Sequence, residues 1–131
     1  MVIEVSSSQG KYQIILEKDS LKNVYKHINL NRKVMIITDE GVPRKYVDTL
    51  IQQCSDPYLI IVKQGEQSKS FDTYEKCLNQ MLDYSFSRKD LVIALGGGVV
   101  GDLSGFVSAT YMRGIDFVNI PYSSEYVYYN G

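Results

Sequence analysis

Five apolar residues, Leu91-Val92-Ile93-Ala94-Leu95, run straight into three glycines, Gly96-Gly97-Gly98. An apolar run without alternation is the pattern of a parallel strand covered on both faces, and this one is far short of the roughly twenty residues that span a bilayer. Glycines, lacking Cβ atoms, then let the chain bend sharply where the strand stops. The same kind of run recurs as Lys33–Thr38 (KVMIIT), as Tyr58–Val62 (YLIIV) and, shorter, as Phe117–Ile120 closed by Pro121. Between these runs, apolar residues recur at helical spacing. Pro43 fits a first helical turn, followed by Val47, Leu50, Ile51 and Cys54. Ser70 is placed to cap a helix Phe71–Tyr84 whose apolar side is Phe71, Tyr74, Cys77, Leu78, Met81 and Leu82. A third helix is expected over Val99–Met112, stopped by a left-handed Gly114. From residue 33 onward strand and helix alternate as βαβαβαβ, which calls for parallel strands with right-handed crossovers. The expected fold is α/β and Rossmann-like: an open, doubly wound, mainly parallel sheet with helices on both faces.

Ahead of this pattern, Val2–Ser6 and Tyr12–Glu17 read as an N-terminal antiparallel strand pair at one edge, joined by the turn-rich Ser7-Ser8-Gln9-Gly10. A short helix is expected from Ser20 as N-cap, with Leu21, Val24, Tyr25 and Ile28 on one face. The tail, 122–131, holds four of the eleven tyrosines and is expected to add an edge strand. A chain of 131 residues with 44% hydrophobic and 22% charged residues suits one domain with a real core.

Fourteen Lys and Arg against fifteen Asp and Glu leave no basic stripe for a phosphate backbone, so nucleic acid is not an expected partner. No apolar run is long enough for a membrane span, and the first residues lack the basic-then-apolar pattern of an export signal. A cytoplasmic protein is expected. Cys54 and Cys77 read as buried, reduced thiols, and the single histidine, His27, reads as a helix-surface residue that cannot build a His-based metal site alone.

Ligands of open α/β sheets sit beyond the carboxyl ends of the strands, so Asp39-Glu40-Gly41, Gly65 to Lys69 and Gly96 to Asp102 should share one crevice. Gly96-Gly97-Gly98-Val99-Val100-Gly101 fits G-x-G-x-x-G between a strand and a helix, where bare backbone amides can approach a diphosphate at the positive helix end. The alternative is a tight turn that merely allows close helix packing. Asp39 could accept hydrogen bonds from ribose hydroxyls or simply hold a turn. Glu66 and Lys69 could offer an acceptor and a cation to a nucleotide, or form an exposed ion pair. Asp102 is read in the first turn of the third helix, where a carboxylate suits the dipole, and Arg113 at its end, where a cation does; Arg is also a good bidentate phosphate ligand. Asp116 precedes its strand and so falls at the wrong edge of the sheet for a ribose partner.

The stretch from Asp90 to Pro121, DLVIALGGGVVGDLSGFVSATYMRGIDFVNIP, together with GEQSKSF at Gly65–Phe71, resembles the 3-dehydroquinate synthases, whose GE-x-x-K segment stands at the same distance upstream. The resemblance covers residues 1–121 as an NAD-binding domain, leaving 122–131 as a divergent tail. It implies an enzyme of the shikimate pathway. Bound NAD oxidises a secondary hydroxyl of 3-deoxy-D-arabino-heptulosonate 7-phosphate, phosphate is eliminated, the ketone is reduced back, and ring opening with aldol closure gives 3-dehydroquinate. A divalent metal, Zn or Co, polarises the oxygens in the full-length enzyme. Carried over by position, Asp39 would hold the adenosine ribose, Glu66 and Lys69 the nucleotide, and Gly97, Gly98 and Val99 the diphosphate. Asp102 would lie near the nicotinamide, Ser123 would keep a hydroxyl at the cofactor, and Arg113 would reach substrate phosphate across a homodimer interface.

Departures from the family pattern are informative. Gly41 stands where an Asn often assists Asp39, and Tyr122-Ser123 replaces a Thr-Thr pair. The family's metal ligands, one Glu and two His in a helical second domain, have no counterpart in this chain, so no metal site and no complete catalytic set are expected in it. On its own it should be inactive, bind NAD weakly if at all, and self-associate through exposed apolar surface. Other readings are a domain of a related sugar-phosphate cyclase or glycerol-type dehydrogenase, or a non-catalytic nucleotide-binding remnant. Tyr111-Met112-Arg113-Gly114 favours the synthase over the dehydrogenases.

Overall fold

The computed structural model describes residues 2–7, 10–16, 20–65, 67, 69–121 and 126–130, with side chains described from Leu21 to Pro121 apart from residues 66 and 68. One sheet runs through the molecule in the order β1-β2-β7-β6-β5-β3-β4. Its strands are β1 (Val2–Ser7), β2 (Gly10–Leu16), β3 (Lys33–Asp39), β4 (Asp56–Val62), β5 (Leu91–Leu95), β6 (Asp116–Ile120) and β7 (Tyr126–Asn130). The α-helices are α1 (Arg44–Ile51), α2 (Phe71–Asp83) and α3 (Gly98–Thr110).

The four apolar runs form the parallel part, with Ile36 of β3 opposite both Leu59 and Ile93, and Ile93 opposite Val118. Successive side chains of a strand face opposite sides of the sheet, and the runs are apolar on both. On one side Val34, Ile36, Ile93 and Val118 pack under α1 with Val47 and Leu50. On the other, Met35, Ile37, Val92 and Ala94 pack under α2 and α3 with Cys77, Met81, Leu103 and Val107. The doubly wound parallel arrangement with helices on both faces is observed over these four strands, whereas the sheet as a whole is mixed, with three parallel and three antiparallel pairings. β1 pairs antiparallel with β2, β2 with β7, and β7 with β6.

The order fixes where a ligand can enter. The chain steps from β3 outward to β4, then crosses back over β3 to β5 and continues to β6. Right-handed crossovers in opposite directions put α1 and α2 on opposite faces. Between β3 and β5 the connections therefore part, and a crevice opens at their carboxyl ends.

Several elements depart from expectation. Residues Ser20–Lys26 form a 3-10 stretch broken at Asn23 (φ −120°, ψ 18°) in place of an α-helix. Three residues per turn keep Val24 inside, but Tyr25 turns out to solvent, 55% exposed. The Gln53 carboxamide holds this stretch, donating to the Leu21 carbonyl at 2.7 Å and accepting from the Tyr25 amide at 3.1 Å. Pro43 precedes α1, in extended conformation (φ −56°, ψ 134°), and does not join its first turn. β4 is an edge strand and not a buried one, so Ile61 is 53% exposed. Ser70 caps α2 by accepting from the Thr73 amide at 3.1 Å. Phe71 and Leu82 on the expected apolar side of α2 stay exposed, because the helix buries only a narrow stripe at Cys77 and Met81.

α3 starts at Gly98 and ends at Thr110, and a 3-10 turn over Tyr111–Arg113 follows. The left-handed positions are Met112 (φ 47°) and Arg113 (φ 66°), while Gly114 takes φ 120° with ψ 128°, which is not a left-handed helix terminator. β7 lies between β6 and β2, so the tail strand is interior and not at an edge. Glu17, Tyr122 and Ser123 fall outside the described residues, as does the side chain of Ser20.

Candidate functional site

The glycine bend stands at the crevice. Gly96 donates to the Ile120 carbonyl at 3.2 Å, which ties the end of β5 to β6, and Gly97 occupies the N-cap of α3. Four amides at a helix start lack intrahelical partners, and side chains commonly supply them. Ser70 does so for α2, whereas α3 has no side-chain cap. Among the described residues, a Cβ at Gly97 or Gly98 would have no heavy atom within 4 Å, so these two positions face open space there. Close packing flanks these two positions: a Cβ at Gly96 would come within 3.1 Å of the Val100 side chain, and one at Gly101 within 3.1 Å of the Asn119 carboxamide. The two readings of the glycine fingerprint divide by position: Gly96 and Gly101 serve close packing, while Gly97 and Gly98 leave a bare amide surface.

Across the switch point, Asp39 ends β3 and uses Oδ1 to accept from the Gly41 amide at 2.8 Å. That is a turn role, and among the described residues its second oxygen accepts no bond. At Gly41 a Cβ would lie 2.6 Å from the side-chain amide of Gln64. Gln64 thus fills the place a side chain at 41 would take. Its approach depends on how two loops meet, and no local signal in the sequence marks it.

Lys69 and Asp102 come together: Nζ lies 2.8 Å from Oδ2, linking the loop before α2 to α3. Asp102 is the fifth residue of α3 and so stands in the second turn, not the first, because the helix begins one residue earlier than expected. Beside the pair, Phe71, Tyr74, Leu103 and Phe106 line a cavity of about 320 Å³ between α2 and α3. Val99 is half-buried beside the open glycines. Glu66, in the same loop as Lys69, lies outside the described residues, as does Ser123.

Arg113 is not brought to the crevice. The 13 residues of α3 carry the chain about 20 Å, at about 1.5 Å per residue, from the carboxyl edge of the sheet to the amino edge, where Arg113 lies exposed. Asp116 is at that edge too, paired with Arg32 at 3.0 Å, and takes no part in the site. Among the described residues no three His, Cys, Asp or Glu side chains are grouped to hold a metal, and no helix is long and apolar enough to cross a membrane. Burial pushes both thiols, Cys54 and Cys77, up to about 11, which leaves them poor nucleophiles near neutral pH.

Comparison with known proteins agrees with the geometry. The 3-dehydroquinate synthase of Clostridium botulinum (strain Alaska E43 / Type E3) is 41% identical over 126 residues, covering 91% of this chain and 36% of that protein's length. A crystal structure of 2-deoxy-scyllo-inosose synthase complexed with carbaglucose-6-phosphate, NAD+ and Co2+ shares the fold, with a TM-score of 0.83 at 19% identity over 92% of this chain and 35% of that one. So does ValA, the 2-epi-5-epi-valiolone synthase from Streptomyces hygroscopicus subsp. jinggangensis 5008 with NAD+ and Zn2+ bound, with a TM-score of 0.69 at 24% identity over 82% of this chain and 31% of that one. Residues 59–124, which contain the crevice loop before α2, the glycine bend and α3, match the family described as 3-dehydroquinate synthase N-terminal, and the chain belongs to that family.

Proposed function

We propose that this chain is the NAD-binding part of a 3-dehydroquinate synthase, a carbon–oxygen lyase that converts 3-deoxy-D-arabino-heptulosonate 7-phosphate into 3-dehydroquinate and phosphate. The observation that carries the reading is the bend at the switch point, where, among the described residues, Gly97 and Gly98 face open space and the first amides of α3 have no side-chain cap. Such a helix end attracts and hydrogen-bonds a diphosphate. Identity of 41% to a synthase, against 19% and 24% to the two cyclases, favours the synthase over its relatives.

In this reading the amides of Gly97, Gly98 and Val99 bind the diphosphate, and the second carboxylate oxygen of Asp39 accepts from a ribose hydroxyl. Lys69 and Asp102 border the cofactor on the α2 side, and Glu66 and Ser123 are cofactor residues by family position. When bound, NAD supplies a hydride acceptor that takes the hydride of a secondary alcohol and returns it. This chain's part is to bind and orient; the described residues offer no metal site, and no step through a metal is assigned to them. The divalent metal, Zn or Co, and the remaining substrate contacts belong to the rest of the longer polypeptide, and this chain alone is inactive. Arg113, about 20 Å from the bend, suits a role in a homodimer, reaching the substrate phosphate of the other copy. Two unpaired cysteines accord with a reducing, cytoplasmic location.

Calorimetric titration with NAD tests this reading. The wild-type chain should bind NAD, and Gly98→Val should weaken it at least about tenfold, about 1.4 kcal/mol, with an unchanged melting temperature, since a side chain there meets no described residue within 4 Å. Equal affinity in the variant would remove the bend from the site.

A further inference from the structure

The run Tyr58–Val62 has the unbroken apolar pattern of an interior strand, yet it lies in β4, beyond which no strand stands among the described residues. The Glu40 amide donates to the Val62 carbonyl at 3.1 Å, so Val62 turns its backbone groups to β3. Alternation along a parallel ladder then turns those of Ile60 and Tyr58 the same way, and those of Leu59 and Ile61 outward. Native edges are commonly blunted by a bulge, a proline or a charge. β4 follows β3 without a break in register; Asp56 and Pro57 stand at its start and Lys63 just past its end. Its middle, Leu59-Ile60-Ile61, has no such protection, and Ile61 is 53% exposed. Beside it a cavity of about 410 Å³ opens between β4 and α2, bordered by Ile60, Val62, Thr73, Lys76, Cys77 and Gln80.

We propose that this edge pairs with the same edge of a second copy of the chain, antiparallel about a two-fold axis at Ile60. The outward groups select that register. Antiparallel partners exchange hydrogen bonds only where the residues of both strands turn outward. With Ile60 opposite Ile60, Leu59 of each copy meets Ile61 of the other, and every outward N–H and C=O of these two residues is bonded without calling on Pro57 or Lys63. A slip of one residue would set outward groups against groups already given to β3. The same register places Ile61 opposite Leu59 on one face of the joined sheet, where the two cover each other. On the α2 face the copies complement in charge: each Asp56 is carried to the far end of the other β4, where Lys63 and Lys76 stand at the cavity. A single strand pair buries less than a standard interface of about 1,600 Å², so the association depends on concentration. It needs neither NAD nor the glycine bend.

Sedimentation and amide hydrogen exchange over a range of protein concentrations test it. The wild-type chain should form a dimer that grows with concentration, and exchange at the Leu59 and Ile61 amides should slow several-fold with it. The Ile60 and Val62 amides, bonded to β3, should stay slow throughout. In a mixture of 13C-labelled and unlabelled chains, an NOE between the Hα atoms of Ile60 in the two copies should appear, since a non-hydrogen-bonded antiparallel pair brings its Cα atoms to about 4.5 Å. Ile61→Lys should weaken association at least about tenfold, since an apolar side chain is lost from each copy. Ile61→Glu should do the same, which separates loss of apolar cover from the sign of the charge. Both positions are exposed, so the melting temperature of the dilute chain should not change. A chain that stays monomeric, a dimer unmoved by Ile61→Lys, whose interface is then another face such as that around Arg113, or exchange at Leu59 and Ile61 that ignores concentration would each overturn the proposal.

Discussion

Ser104 lies wholly buried on α3, and among the described residues its hydroxyl has no hydrogen-bond partner. Four residues on, Ser108 is also buried but donates to the Ser104 carbonyl at 2.7 Å. A buried polar group left unpaired costs about 1–3 kcal/mol, and Ala also has the better helix propensity. Ser104→Ala should therefore stabilise the chain by about 1 kcal/mol, seen as a higher denaturant midpoint at unchanged slope; a loss of stability would show that the hydroxyl is satisfied. At this scale the sequence was informative about residue type and much less about partners. Asp39 was legible as a crevice carboxylate at a strand end, and it does hold a turn. That Lys69 would pair with Asp102, 33 positions away, depends on the α2–α3 contact, which no short-range spacing encodes.

The helix α3 shows why some elements could be read and others could not. Its strand-bend-helix start is local, so β5 and the glycine bend were legible to within a residue. Its seating is not local: a Cβ at Gly101 would meet the Asn119 carboxamide at 3.1 Å, and one at Gly105 would meet the Phe117 ring at 3.5 Å. The third glycine of the fingerprint thus serves contact between α3 and β6. Gly101→Ala should gain up to about 1 kcal/mol of helix propensity and lose a similar amount to crowding. In an Asn119→Ala background the crowding is gone, so the same substitution should be stabilising there. Equal effects of Gly101→Ala in both backgrounds, measured by thermal melts, would contradict the contact. The stretch Ser20–Lys26 is the counter-example: its apolar spacing fits an α-helix, but the Gln53 carboxamide supplies distant partners that hold a 3-10 form.

Across the whole molecule, the alternation of strand and helix made the doubly wound class legible, whereas strand order was not. Which strand lies beside which is decided by pairing between distant segments, so β4 is an exposed edge and β7 an interior strand although neither pattern announces it. The two core layers carry one thiol each, and both are pushed from the ordinary 9.0 to about 11 by burial. Burial also raises Tyr111, whose hydroxyl donates to the Phe86 carbonyl at 2.8 Å. In the unfolded chain the thiols ionise near 9, while in the folded chain they keep their protons to about 11. Their contribution is therefore complete below pH 9 and declines as pH rises through 11, because the unfolded state sheds protons first. Denaturant midpoints should fall across this interval and fall less in Cys77→Ala; a flat profile would show that the thiols are not shielded.

The central claim is that the bare amides of the glycine bend receive a diphosphate, and amide-resolved NMR titration of the 15N-labelled chain with NAD measures it directly. The amides of Gly97, Gly98 and Val99 are expected to shift saturably, with inorganic pyrophosphate moving the same three. If these amides stay still through the millimolar range, or if saturable shifts fall elsewhere on the chain, the bend is not a diphosphate cradle.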